Sequence, residues 1–337
     1  MQISRRGLLA SAAGLAAAGT LWSALAAPVL AAGEPQVGVV VKIGGIPWFN
    51  AMEEGIKKAA PEYKMEAWMV GPTQADAAQQ VRAIEDLIAR KVAVIGIVPN
   101  DSAALAPVLG RARDAGIKVL AHEGPDQQNM DWDFELTTTE AYGKAHMDLL
   151  AKEMGEEGEY IVYVGSLTVP LHNAWADAAI AYQKEAYPKM TMLGDRFGVA
   201  ESVDETIKTT QDQLRAHPEL KGILTFGSQG PIGAARVLED REVADKVALV
   251  GGFSPGQGVK YVKNGTIRGG FIWNPMTAGE VFVQLASMLA AGEEPKDGME
   301  LAGVGPVQVF PDKKLIQAQK LEALDKANID RLVELGL

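Results

Sequence analysis

From residue 37 nearly to the end, short runs that are apolar at almost every position alternate with amphipathic stretches. That rhythm restricts the fold more than any other feature. Val37-Gly38-Val39-Val40-Val41 is followed by Phe49, Met52, Ile56 and Ala60 at helical spacing. Runs at 65–70, 92–98 and 117–121 then alternate with two helix faces, one of Ala77, Val81, Ile84 and Ile88 and one of Leu105, Val108, Leu109 and Ala112. Strands apolar throughout are covered on both faces, which means a parallel sheet with helices on each side.

The pattern then repeats, with strands predicted at 160–164, 223–226, 247–250 and 267–273 and helices at 173–187, 203–216 and 231–240. Ala115-Gly116 and His217-Pro218 act as helix stops. Two successive sets of βαβ units imply an α/β protein of two doubly wound parallel-sheet lobes joined by a short multi-crossing hinge. The expected division is 33–138 plus 275–303 for the N-terminal lobe and 139–274 plus 304–337 for the C-terminal lobe, with crossings near Thr138, Asn274 and Val304. Leu321, Leu324, Ile329 and Leu332 predict a terminal helix over 321–335.

Residues 1–31 read as an export signal peptide: Arg5-Arg6 after Ser4, an Ala/Gly/Leu-rich run, and the small-residue cleavage site Val29-Leu30-Ala31. The paired arginines point to the twin-arginine route, with an ordinary Sec signal as the alternative. With no cysteine in the chain, a disulfide framework and a cysteine-linked lipid are excluded. Losing Arg5 and Arg6 takes the formal charge from −11 to −13, a poor balance for binding nucleic acid. The roughly 305 remaining residues suffice for two lobes with a core each.

In open parallel sheets ligands bind beyond the carboxyl ends of the strands. Here those ends carry Lys42, Trp48 and Phe49 after the first strand and His122-Glu123 after the fourth. In the second half they carry His172, Asn173 and Trp175, then Ser228 and Gln229, then Ser254, and finally Trp273-Asn274. Aromatic faces cover the C–H face of a sugar, and charged and amide groups pair with its hydroxyls. Each residue also has a plainer explanation. Trp48 and Phe49 suit the core face of a helix, and Trp175 and Trp273 suit lobe packing. Glu123 suits an ordinary loop carboxylate or a salt-bridge partner of Lys42; as a ligand contact, its replacement by alanine is expected to abolish the melting shift of the best ligand and leave the free melting point nearly unchanged. His172 and Asn173 suit a solvated loop, and Ser228 and Ser254 suit helix caps.

These same segments resemble the type I periplasmic binding proteins of sugar ABC importers, and more narrowly the autoinducer-2-binding and rhamnose-binding group. The likeness rests on Val41-Lys42-Ile43-Gly44 leading to Trp48-Phe49, and on Gly71-Pro72-Thr73, Lys118-Val119-Leu120, Val250-Gly251-Gly252-Phe253-Ser254, Gly265-Thr266-Ile267, Ile272-Trp273-Asn274 and Gly303-Val304-Gly305 in that order. It implies that Lys42 contacts the ligand and that Glu123 stands where autoinducer-2 receptors have an aspartate. Leu171-His172 stands where they have Asp-Gln, Phe226 and Ser228 where they have proline and alanine, and Asn274 where an aspartate follows the tryptophan. It further implies a periplasmic monomer that takes a pentose, deoxyhexose or linear polyol to a membrane permease.

A dehydrogenase reading lacks its motif, because no strand is followed by G-x-G-x-x-G and Gly251 to Gly256 has the wrong spacing. No P-loop is present. Four histidines without a recurring ligand spacing give no metal site. No catalytic residue, metal or cofactor is expected. A transcription regulator would carry a helix-turn-helix where the export signal stands, and a receptor for autoinducer-2 or another signal overlaps with transport.

Overall fold

The computed structural model describes residues 33–337; the export signal expected over 1–31 lies outside the described residues. The first lobe opens with β1 (Gln36–Val40), α1 (Pro47–Ala59), β2 (Glu66–Val70) and α2 (Ala77–Arg90). It continues with β3 (Val94–Ile97), α3 (Ser102–Asp114), β4 (Lys118–His122) and β5 (Trp132–Glu135). The chain then crosses into α4 (Thr139–Met154), β6 (Gly158–Val164), α5 (Pro170–Ala186), β7 (Met190–Met192), β8 (Phe197–Gly198) and α6 (Val203–Ala216). The second lobe adds β9 (Leu220–Phe226), α7 (Gly230–Asp240), β10 (Ala248–Gly251), α8 (Pro255–Asn264) and β11 (Gly270–Ile272).

After β11 the chain returns through α9 (Pro275–Ala290) and a hairpin of β12 (Glu300–Leu301) and β13 (Gly305–Pro306) to β14 (Gln308–Phe310) and β15 (Leu315–Gln317). It ends in β16 (Glu322–Leu324) and α10 (Ile329–Glu334). One sheet has the order β14-β15-β5-β4-β3-β1-β2, parallel except for β14. The other has the order β10-β9-β6-β7, with β8 also on β6, and all of its pairs are parallel. These are the two doubly wound lobes expected from the apolar runs.

Why the first lobe closes on its sheet is visible in two glycines. A Cβ at Gly55 of α1 would lie 1.9 Å from Met276 O, and one at Gly279 of α9 would lie 2.1 Å from Met52 O. Only glycine lets these helices approach so closely. The larger apolar core runs through both lobes. A second one, around Val40, Ile84, Ile95, Leu105 and Leu109, lies under α2 and α3. Among the described residues no helix is long and apolar enough to cross a membrane.

Three expectations are corrected. Residues 308–317 add β14 and β15 to the first sheet, with Leu315 opposite Asp133, although 304–337 was expected in the C-terminal lobe. Strands of three residues are too short to show a period. The third crossing consequently falls at 318–321 and not at Val304. There Ala318 N–H donates to Glu135 O (2.8 Å) and Lys320 N–H to Leu136 O (2.7 Å), so two crossings run side by side. The terminal helix also shrinks to α10, because Leu324 is buried by strand pairing opposite Gly270. A leucine spacing of three suits either arrangement.

Candidate functional site

The cleft is built at the strand ends. Gln80, fully buried on α2, donates its amide hydrogens to Val41 O (3.0 Å) and Val98 O (2.8 Å) and accepts from Asn100 N–H (2.9 Å). Asn100 Nδ2 in turn donates to Lys42 O (2.8 Å). These bonds tie the ends of β1 and β3 together and fix the backbone from which Lys42 projects. Pro47 at the start of α1 presets the helical φ, so Trp48 and Phe49 occupy the first turn, at the cleft.

Lys42 is buried, and its Nζ lies 2.5 Å from Glu123 Oε2, 2.7 Å from His172 Nε2 and 3.5 Å from Glu201 Oε1. Lys42 and Glu123 belong to the first lobe; His172 on α5 and Glu201 just beyond β8 belong to the second. Burial opposes the charge on Lys42. The charges and hydrogen bonds of Glu123 and Glu201 outweigh that burial and hold the lysine pKa above its usual value. Burial, and then the Lys42 ammonium, push the His172 pKa well below the ordinary imidazole value. Gly165 N–H points at Nδ1 (3.1 Å) and the Lys42 ammonium lies beside Nε2, so a protonated ring would set N–H groups against both donors, while the neutral ring accepts from one of them. Burial raises the Glu201 pKa; Lys42 opposes this, and the charge of Glu123 adds to it.

Glu123 stands at φ +57°, a left-handed conformation that costs a non-glycine residue about 1–3 kcal/mol. The loop after β4 thus tolerates backbone strain where it presents a carboxylate to the buried lysine. Around this charged cluster lies an aromatic wall. The rings of Trp48 and Trp273 meet edge to face at 5.6 Å, Trp175 lies 5.4 Å from Trp273, and Tyr142 on α4 lies 4.3 Å from Trp175. His172 stacks on Trp175 at 5.3 Å.

Together these groups line a cavity of only about 30 Å³, room for about one water and far below the ~300–1,000 Å³ of ligand pockets, so a small-molecule ligand enters only as the lobes part. Of the residues expected from the sequence, Lys42, Trp48, Phe49, Glu123, His172, Trp175, Ser228 and Trp273 line it. The other four do not. Asn173 spends its amide on Ser166 O (3.0 Å) and Val169 O (2.7 Å), and its Oδ1 accepts from Arg196. Gln229 pairs with Gln257, and Ser254 lies buried at the start of α8. Asn274 caps α9, accepting from Met276 N–H (2.9 Å) and Thr277 N–H (3.4 Å).

Sequence reasoning missed Tyr142, Glu201, Gly227 and Gly252. Gly227 and Gly252 follow β9 and β10, where only their polar neighbours had been singled out. Glu201 also stands at a strand end, but β8 has only two residues and leaves no apolar run to read. Tyr142 comes from the first turns of α4, which the strand-end rule does not reach.

Several known proteins share the fold. The ribose import binding protein of Salmonella typhimurium is 24% identical over 264 residues, covering 77% of this chain and 86% of the relative. The D-ribose/D-allose-binding protein of Pseudomonas aeruginosa is 25% identical, covering 79% and 86%. Among solved structures, an ABC transporter solute binding protein from Clostridium phytofermentas with bound L-rhamnose superposes with a TM-score of 0.82. It is 24% identical, with 90% of this chain and 99% of that chain covered. LsrB from Clostridium saccharobutylicum in complex with AI-2 gives 0.80, at 22% identity and with 88% and 99% covered. These are proteins that bind solutes, not enzymes. The family model described as the periplasmic binding protein domain matches residues 37–294, about three quarters of a chain whose two lobes meet at one lined cavity, and the chain belongs to that family.

Proposed function

We propose that the chain is the periplasmic substrate-binding component of an ABC importer, capturing a small sugar or polyol between its lobes by hinge closure. One observation carries the ligand class. Trp175 Nε1, Trp273 Nε1 and Glu201 Oε2 belong to residues lining the cavity, are buried, and have no hydrogen-bond partner among the described residues. Two of these atoms donate and one accepts. Hydroxyl groups serve both needs, because each one donates and accepts. The aromatic wall suits the apolar face of the same ligand.

The names of the relatives agree with this reading: ribose, ribose/allose and xylose for the curated proteins, L-rhamnose and AI-2 for the solved complexes. Binding across two lobes favours the closed form through contacts on both sides. The expected export signal at 1–31 supports a periplasmic location, and a membrane permease is the expected partner of a monomeric receptor. A thermal-shift screen against pentoses, deoxyhexoses, polyols and autoinducer-2 tests the reading, since a ligand of the native form raises its melting temperature. A shift with none of them overturns it, as does turnover of any.

A further inference from the structure

Glu201 differs from the other charged groups of the cavity in how it is satisfied. Its side chain is 6% exposed. One oxygen faces Lys42 Nζ at 3.5 Å, while the other has no partner among the described residues. The same lysine lies 2.5 Å from Glu123, so a single ammonium serves two buried carboxyl groups, unequally. His172 Nε2 stands 3.8 Å from both Glu123 Oε2 and Glu201 Oε1 and, being neutral, supplies no second cation. An ionised carboxylate buried with so little compensation is expensive. Burial accordingly raises the Glu201 pKa, and the charge of Glu123 adds to the effect.

We propose that Glu201 is a ligand anchor whose ionisation is coupled to binding: a ligand hydroxyl donates to Oε2, the carboxylate form is thereby stabilised, and the carboxyl proton leaves to solvent. The proposal rests on the reading of this cavity as the sugar or polyol site. The balance is simple: one protonated carboxyl and one ligand give a carboxylate hydrogen-bonded to a hydroxyl, plus one released proton. Affinity then rises with pH until Glu201 is ionised in the free protein, and is flat above that point. Among the other titratable groups of the cavity, Lys42, Tyr142 and His172 do not share this behaviour. Lys42 and Tyr142 are held above their ordinary values and His172 well below its own, while Glu123 is engaged by the lysine.

The test uses D-ribose, D-xylose, D-arabinose, L-rhamnose, ribitol and myo-inositol, titrated calorimetrically in buffers of different ionisation enthalpy between pH 5 and 8. The wild-type protein is compared with Glu201→Gln and with Asp133→Asn, a control that alters a different buried carboxyl. The expected result is net proton release towards the acid end of the range. It is lost in Glu201→Gln and kept in Asp133→Asn, and Glu201→Gln binds at least about tenfold more weakly at pH 8. Binding without proton release, or unchanged affinity in Glu201→Gln, overturns the role of Glu201 and leaves the sugar reading standing. Binding of none of the six overturns both.

Discussion

Lys42 and Glu201 meet across the cleft, Nζ to Oε1 at 3.5 Å, while the same ammonium holds Glu123 of its own lobe at 2.5 Å. The lysine is therefore the one charge that both lobes share within this cluster. Replacing it by methionine keeps the apolar stem but leaves two buried carboxyl groups facing each other without a cation. Breaking a buried pair in this way costs about 3–5 kcal/mol. Lys42→Met is expected to lose that much in urea unfolding at pH 7.5. It should recover part of it near pH 5, because carboxyl groups held above their unfolded pKa regain stability as pH falls. An equal loss at both pH values would show that the charges are not the cause.

Removing Glu123 probes the same bridge from the other side. A loop carboxylate free of partners is removable without consequence, but this one holds a buried ammonium. Glu123→Ala is expected to abolish the melting shift given by the best sugar or polyol. It should also lower the melting temperature of the free protein by roughly 5–8 °C, taking the same ~3–5 kcal/mol. Differential scanning fluorimetry with and without ligand reads both effects. An unchanged free melting point would remove Glu123 from the bridge.

The lobes were legible because their strands are covered on both faces, so burial is written as unbroken apolar runs such as 92–98. Where that coupling fails, so does the reading. Strand β5 carries Asp133 and Glu135 and shows no such run, yet it forms the centre of the first sheet's far half. The site divides in the same way. Lys42, Glu123 and Trp273 stand directly after readable strands and were found. Glu201 follows a two-residue strand and was not. Asn173 and Asn274 stand in the right loops, but their amides serve the backbone of those loops. Sequence position fixes which loop a residue occupies, not which way its side chain turns.

Asp133 and Glu135 lie two apart on β5 and so point to one face of the sheet. Both are buried, and Asp133 Oδ2 and Glu135 Oε1 have no partner among the described residues. Burial pushes the Asp133 carboxyl up to about 7, and burial together with the charge of Asp133 carries Glu135 well above its ordinary value. A carboxyl raised on folding contributes stability that is full below about pH 4 and lost as pH climbs towards 7. Asp133→Asn keeps an oxygen for Gly124 N–H (3.4 Å) and cannot ionise. It is expected to match the wild type near pH 4 and to exceed it by about 1–4 kcal/mol at pH 8. Urea titrations at the two pH values check this, and a variant weaker at pH 8 would contradict it.

His146 gives the opposite slope. It is fully buried on α4, with Nδ1 2.9 Å from Tyr142 O and Nε2 3.1 Å from Phe271 N–H. The carbonyl requires a hydrogen on Nδ1 and the amide requires a lone pair on Nε2, so one neutral tautomer satisfies both. Burial, opposed by the Tyr142 carbonyl, depresses the pKa from 6.5 to about 4. Between those values the unfolded chain holds a proton that the folded chain does not. Stability from this group is therefore full above pH 6.5 and lost as pH falls towards 4, by roughly 3 kcal/mol. His146→Phe removes the titration but orphans the Phe271 N–H that joins α4 to β11, at a cost of about 1–3 kcal/mol at pH 7. The variant should start lower at pH 7 and lose less than the wild type on going to pH 4.5, so that the two unfolding free energies converge. Parallel pH profiles would mean that the imidazole titrates alike in the folded and unfolded chains.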